Sequence, residues 1–201
     1  MEFISTFLSL AVTFGVFFIS LSVHEFAHAF ASYKLGDPTA KFEGRMTLNP
    51  LAHIDLVGTV LVPIFLSLSG LPVFGWAKPV HVNIHNFQNP ARDNFITALS
   101  GPISNFIFAF IAALLLKAFP QNSILELLVL INVVLAVFNL LPIPPLDGSK
   151  VWHLLLSDES YFTLERLGPI ILISVLLFSS YFSNMLFTVI GTVSQGIINI
   201  F

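Results

Sequence analysis

Apolar residues run almost unbroken through four stretches of the chain, at about 4–33, 93–117, 123–141 and 167–190. Each is long enough to cross a bilayer as a helix. A fifth run, "LVGTVLVPIFLSLSG" (56–70), is shorter and carries Gly58 and Pro63. That length suits a re-entrant or buried segment better than a crossing. Two polar, turn-rich stretches lie between these units, at 36–55 and 75–94. Their Gly, Pro and Asn residues punctuate short alternating runs such as "AKFEGRMTL" and "KPVHVNI", which read as strands or hairpins at the membrane edge. The pattern predicts an all-α membrane protein: a polytopic helical bundle with about four full spans, one re-entrant segment and short membrane-edge strands.

Composition strengthens this reading. Hydrophobic residues make up 56% of the chain and charged residues 9%, far from the usual soluble balance. The formal net charge of −3 offers no basic surface for nucleic acid, which is not expected as a partner; the lipid bilayer is. The absence of cysteine excludes disulfides and thiolate metal sites. The opening "MEF" has no positive region, and its apolar run is too long for a signal peptide. The first helix is therefore expected to be retained, and residues 1–201 to form one membrane domain without repeats.

Charge orients the chain. Lys34, Lys41 and Arg45 follow the first helix, and the positive-inside rule makes that end cytoplasmic. His24 and His28 lie shortly before Lys34. At 1.5 Å per residue they sit roughly 9–15 Å below that surface, inside the membrane but near the cytosol.

Those histidines belong to "SVHEFAHAF" (22–30). Ionisable side chains are costly in hydrocarbon and mark functional sites when found there. His24-Glu25-Phe26-Ala27-His28 is an HExxH pattern. Residues i and i+4 share a helix face, so both imidazoles can reach one zinc ion. Glu25 is turned off that face, yet close enough to take a proton from a water that the metal activates. The plainer alternative is that the three side chains pair with one another inside a bundle.

A catalytic zinc site needs a third protein ligand and one open position. Asp147, in "FNLLPIPPLDGSKVW" (138–152), offers itself after a break that Pro142, Pro144 and Pro145 impose on the preceding helix. Two roles stand open for it: metal ligand, or N-cap of a short helix at 149–156.

HExxH in one transmembrane helix, "SGPISN" (100–105) opening a second and "NLLPIPPLDG" (139–148) after a third together resemble the site-2 protease family of intramembrane zinc metalloproteases. "GRMTLNPLAHIDLVGT" (44–59) and "FGWAKPVHVN" (74–83) look like its compact prokaryotic branch, which lacks PDZ and CBS modules. The resemblance spans a catalytic core of about 15–152, with the helix at about 167–190 beyond it. It implies one zinc ion per chain, held by His24, His28 and Asp147, with Glu25 as catalytic base. Asn139 would hold the scissile carbonyl or substrate backbone, and Gly101, Pro102 and Asn105 would pack and position. Two departures are visible: Ser149 stands where the family usually has a second glycine, and His81 and His85 stand where Pro and Asn are usual.

Zinc ligation requires Asp147 to share the depth of His24. The 123–141 helix must then run parallel to the first helix and 93–117 antiparallel to it. Residues 34–55 and 71–92 fall on the cytosolic side, and 56–70 dips in and returns. Seven of the eight Lys and Arg residues then lie in the cytosol, with Lys117 outside.

Other polar residues carry two readings each. His53 and Asp55 are substrate-binding or supporting groups, or a simple turn. His81 and His85 are four apart, but Pro79, Asn83 and Pro90 argue against the helix a second metal site would need. His153 reads as a cap or an interfacial side chain, Trp76 as an interfacial anchor, and "FGWAKPV" as an edge for an unwound substrate. The expected function is zinc-dependent endopeptidase action on transmembrane protein substrates, in the cell membrane, from a site near the cytoplasmic face. The rival is a metal-binding or transport protein using the same cluster. A transporter would more often show repeated halves with matching broken helices, and none is visible. An inactive relative acting as a binding module is a third option, against which the intact ligand set argues. The substrate, the trigger and the oligomeric state are not legible.

Overall fold

A computed structural model describes residues 2–69, 78–178 and 180–200. The frame is built by α1 (Glu2–Lys34), α4 (Pro90–Ala118) and α5 (Ser123–Asn139). Among the described residues, Ile4–Lys34 and Pro90–Ala118 are the helices long and apolar enough to cross a membrane. α5, with 17 residues, is about 25 Å long. Asn122 starts it sharply, its side chain accepting the N–H groups of Ile124 and Leu125.

α4 packs along both α1 and α5. Ser20 and His24 of α1 meet Asn105 of α4, and His28 meets Thr97. Numbers rise on one helix as they fall on the other, so the two are antiparallel. Leu8 and Val12 line a groove with Ser123 and Leu127, while Ser20 meets Asn132, so α1 and α5 run parallel. This is the arrangement that a shared depth for His24 and Asp147 requires.

The apolar core lies beyond the polar residues. Ala109, Ala112 and Ala113 of α4 face Val129 and Val133 of α5 and Leu186, Ile190 and Ile197 of α8 (Ser180–Asn199). Small residues on α4 allow close backbone approach between these helices.

Two expectations change here. The helix expected at about 167–190 begins earlier, at Asp158, and its described parts are α7 (Asp158–Phe178) and α8, on either side of residue 179, which lies outside the described residues. Asp158 and Glu159 favour a helix start well before residue 167, and α8 turns an apolar face to the core. Second, the described residues contain no strand. "AKFEGRMTL" closes the short helix α2 (Thr39–Phe42) and then turns, with Gly44 at φ 70°. Residues 78–83 are extended, but their N–H groups go elsewhere than to a ladder. Lys78 donates to the His53 carbonyl (3.0 Å), Val80 to Glu25 Oε2 (3.0 Å) and Asn83 to Asp37 Oδ2 (2.8 Å). Alternation recorded which side chains face inward, not a pairing partner. The 56–70 segment, expected to be too short to cross, is a π-helical turn (Leu56–Leu61) running into α3 (Val62–Leu68). Thirteen helical residues span about 20 Å, too short for a hydrocarbon core of about 30 Å. Trp76 and most of "FGWAKPV" lie outside the described residues.

Candidate metal centre

α1 carries His24, Glu25 and His28, all buried. The i, i+4 spacing brings the two imidazoles together, with ring centroids 4.6 Å apart and Nε2 atoms 3.0 Å apart. Asp147 arrives from the far end of the chain. Leu140 and Leu141 leave α5, the proline run turns the backbone, and a 3-10 turn (Asp147–Lys150) leads into α6 (Val151–Leu155). Trp152 Nε1 donates to the Pro142 carbonyl (2.8 Å) and Lys150 pairs with Glu165 (2.8 Å), pinning this loop at both sides. Gly148 is needed there, since a Cβ would sit 2.7 Å from the Leu141 carbonyl oxygen. The Asp147 side chain caps no helix. Its Oδ2 lies 3.1 Å from His24 Nε2 and 3.3 Å from His28 Nε2.

Hydrogen bonds decide what those three atoms are. His28 Nδ1 faces the Thr97 carbonyl at 2.8 Å. A carbonyl only accepts, so Nδ1 carries the proton and Nε2 a lone pair. Pro102 has no N–H for the Ala98 carbonyl, so the α4 ladder is interrupted beside Thr97. His24 Nδ1 faces Asn105 Oδ1 at 2.6 Å. The Asn105 amide nitrogen donates to the Ser20 carbonyl (3.2 Å) and to Asn132 Oδ1 (2.7 Å), so its oxygen must accept and His24 Nδ1 must donate.

Three lone-pair atoms therefore converge within hydrogen-bond distance of one another with no proton assigned between them. Asp147 Oδ2 is buried without a hydrogen-bond partner, which is costly unless a cation completes the set. Ligands on a tetrahedral zinc with bonds of about 2.0–2.1 Å stand about 3.3 Å apart. The triangle here has edges of 3.0, 3.1 and 3.3 Å. Among the described residues, His24, His28 and Asp147 form a group that could hold a metal ion, and its donors are those of a catalytic zinc site. Gly101 lets α4 close on this group, because a Cβ there would lie 2.7 Å from His24 Cε1 and nearer still to the His28 ring.

Residues 12–122 and 117–181 match the description "Peptidase family M50". The chain belongs to this family. It is 40% identical over 146 residues to "Putative zinc metalloprotease YwhC" of Bacillus subtilis, covering 66% of this chain and 64% of that one. It is 34% identical over 137 residues to the similarly named Rip2 of Mycolicibacterium smegmatis, covering 65% and 51%. Stage IV sporulation protein FB of Bacillus subtilis is 28% identical over 147 residues, covering 72% and 50%. The chain spans between half and about two thirds of the length of these relatives. No solved structure matches it. Zinc is the metal that the names of the M50 relatives and the donor set agree on.

The other sequence-predicted residues of this M50 chain divide. Asn105 is fully buried and holds His24. Asn139 is half-buried at the end of α5, with its amide nitrogen donating to the Leu135 carbonyl (2.9 Å). His53 is buried, its Nε2 donating to the Thr47 carbonyl (3.0 Å), its Nδ1 without a partner. Asp55 caps the turn at Leu56 by accepting the Gly58 N–H (2.6 Å). His81 pairs with Glu43 (3.1 Å) and His85 is exposed in a 3-10 turn, so they share no site. His153 stacks on Tyr161 at 4.2 Å. At the departure from the family pattern, Ser149 donates to the Leu146 carbonyl (2.6 Å) and lies 3.2 Å from Glu165.

The sequence reading missed Thr97, Val80, Ser20 and Asn132. Thr97 and Val80 act through backbone groups, which side-chain identity does not reveal. Asn132 carried a legible signal: it is a lone amide inside "LLVLINVVLAVF".

Proposed function

We propose that the chain is a zinc-dependent intramembrane endopeptidase that hydrolyses peptide bonds in or near transmembrane segments of membrane proteins. The observation that carries this reading is the convergence of three lone-pair donors beside Glu25, on a helix apolar enough to cross a membrane. His24, His28 and Asp147 would hold one zinc. When bound there, the metal supplies Lewis-acid polarisation of a carbonyl and makes water acidic enough to react near neutral pH. Glu25 is the general base. Its Oε2 is held by the Val80 N–H (3.0 Å), and Oε1 accepts from no described residue. Oε1 therefore takes the proton of the attacking water and delivers it to the leaving amine. Asn139, with its amide oxygen free of described partners, accepts a substrate N–H. Asn105 orients His24. His53 supports the wall of the site, since its carbonyl holds Lys78 two residues before Val80.

The chain sits in the cell membrane as a multi-pass protein with α1, α4, α5 and the C-terminal helices in the bilayer. The site lies in the membrane near the cytoplasmic face, and residues 56–68 enter without crossing. The seven Lys and Arg residues at 34, 41, 45, 78, 92, 150 and 166 support that orientation. The substrate is a transmembrane protein whose helix must unwind locally, because its carbonyls are otherwise bonded and dry.

The test compares wild type and Glu25→Gln on a panel of single-span reporter proteins, with zinc content measured on the same preparations. Glu25→Gln should retain zinc and lose cleavage by a hundredfold or more, on the order expected for loss of a general base. Zinc binding without cleavage by wild type on any reporter would favour a metal-binding or transport protein instead.

A further inference from the structure

We infer that Asn132 is a positioning residue for the metal centre, acting through Asn105 on His24; this rests on the metal-centre reading above. Asn132 is fully buried on α5, outside the HExxH motif and the proline loop. Its amide nitrogen donates to the Leu128 carbonyl (2.9 Å) and to Ser20 Oγ (2.8 Å). Ser20 Oγ can accept or donate and decides nothing. The Leu128 carbonyl can only accept, so it fixes the nitrogen of Asn132 on that side and turns Oδ1 towards α4. Asn132 Oδ1 then receives the Asn105 amide at 2.7 Å, a shorter bond than the 3.2 Å one from Asn105 to the Ser20 carbonyl. That orientation leaves Asn105 Oδ1 for His24 Nδ1 at 2.6 Å. A backbone carbonyl on α5 thus acts through two amides, together with the Ser20 carbonyl on Asn105, to set which nitrogen of a histidine on α1 keeps its lone pair.

The relay spans three helices and is buried throughout. Groups behind a metal-bound histidine tune affinity because they fix its tautomer and ring orientation, and their loss costs about 10–100-fold. Asn132 stands one residue further back, so the lower end applies. Asn132→Leu keeps the volume but removes the acceptor for Asn105. One buried N–H is stranded, and the amide is held only by the longer Ser20 bond.

The experiment measures zinc affinity by chelator competition on the detergent-solubilised full chain, together with thermal melting of the metal-free form. Asn132→Leu should loosen zinc about tenfold. Val129→Ala, a buried neighbour outside the relay, should lower the melting temperature without loosening zinc. In an Asn105→Asp background the carboxylate accepts from His24 whichever way it turns, so adding Asn132→Leu should loosen zinc no further. Asn132→Ser gives the same comparison should the leucine variant fail to fold. Wild-type affinity in Asn132→Leu overturns the inference. So does an equal loss with Val129→Ala, or an equal loss in both Asn105 backgrounds, since either makes Asn132 a packing residue. If wild type binds no zinc, or Asp147→Ala binds it normally, the metal-centre reading itself fails and the inference falls with it.

Discussion

Gly101→Ala is the smallest perturbation that reaches the metal centre without touching a proposed ligand. The new methyl would sit 2.7 Å from His24 Cε1 and closer to the His28 ring, where ordinary carbon contacts begin near 3.5 Å. The imidazoles or α4 must therefore retreat by most of an ångström. Neither ring is the free end of a flexible chain. Each is held at Nδ1, by Asn105 and by the Thr97 carbonyl, and Thr97 and Gly101 are adjacent turns of the same helix. Moving α4 away moves the anchor as well. Overpacking of this kind costs about 1–3 kcal/mol. Coordination is lost sooner, because metal–ligand distances tolerate only about 0.2 Å. Zinc affinity is expected to fall on the order of a hundredfold, with a melting temperature lowered by several degrees. Chelator competition and scanning calorimetry read the two effects. Gly15→Ala is the control, since nothing lies within 4 Å of a Cβ there. It should stabilise α1 by about 0.5–1 kcal/mol through helix propensity alone. Native zinc affinity in Gly101→Ala would refute the claim that α4 sets the positions of both histidines.

Asp147→Ala should lower zinc content sharply, because one of three protein donors is gone; equal stoichiometry by metal analysis would return Asp147 to a structural role. The chain has no cysteine, so single cysteines at His85 and Lys117 can be labelled in intact cells, and the proposed topology expects the first to react only from the cytosol and the second only from outside. Asp37 is buried, which raises its pKa, but hydrogen bonds from Thr39, Asn86 and the Asn83 N–H outweigh burial and hold it below the usual carboxylate range. Its stabilising contribution is therefore complete above about pH 4 and disappears as pH falls through the depressed folded value. Proteolysis or hydrogen exchange of residues 78–86 should rise over that acid range, and Asp37→Asn should show the rise already at neutral pH.

HExxH and Asp147 were legible because the rules behind them are local. Helical spacing puts His24 and His28 on one face, and a proline run in a greasy chain must turn the backbone somewhere. The antiparallel and parallel order of α1, α4 and α5 followed from requiring one depth for all three side chains. The partners of His28 and Glu25 were not legible, because they are backbone groups of Thr97 and Val80 whose identity as valine or threonine is incidental. The strands failed for a related reason. Alternation at 78–83 reflects packing on the end of α1, while the donors that a ladder would use are taken by Glu25 and Asp37.

His24 and His28 are made early and Asp147 late, with α4 and α5 between them. At about 5–20 residues per second the wait is on the order of ten seconds. Until then the helix bearing the HExxH pair lacks its carboxylate partner, and for much of that time it also lacks Thr97 and Asn105 to fix its tautomers. On the proposed reading, a chain still being made is inert towards the segments around it. The metal site can close only after α5 and the proline loop that carries Asp147 have been made.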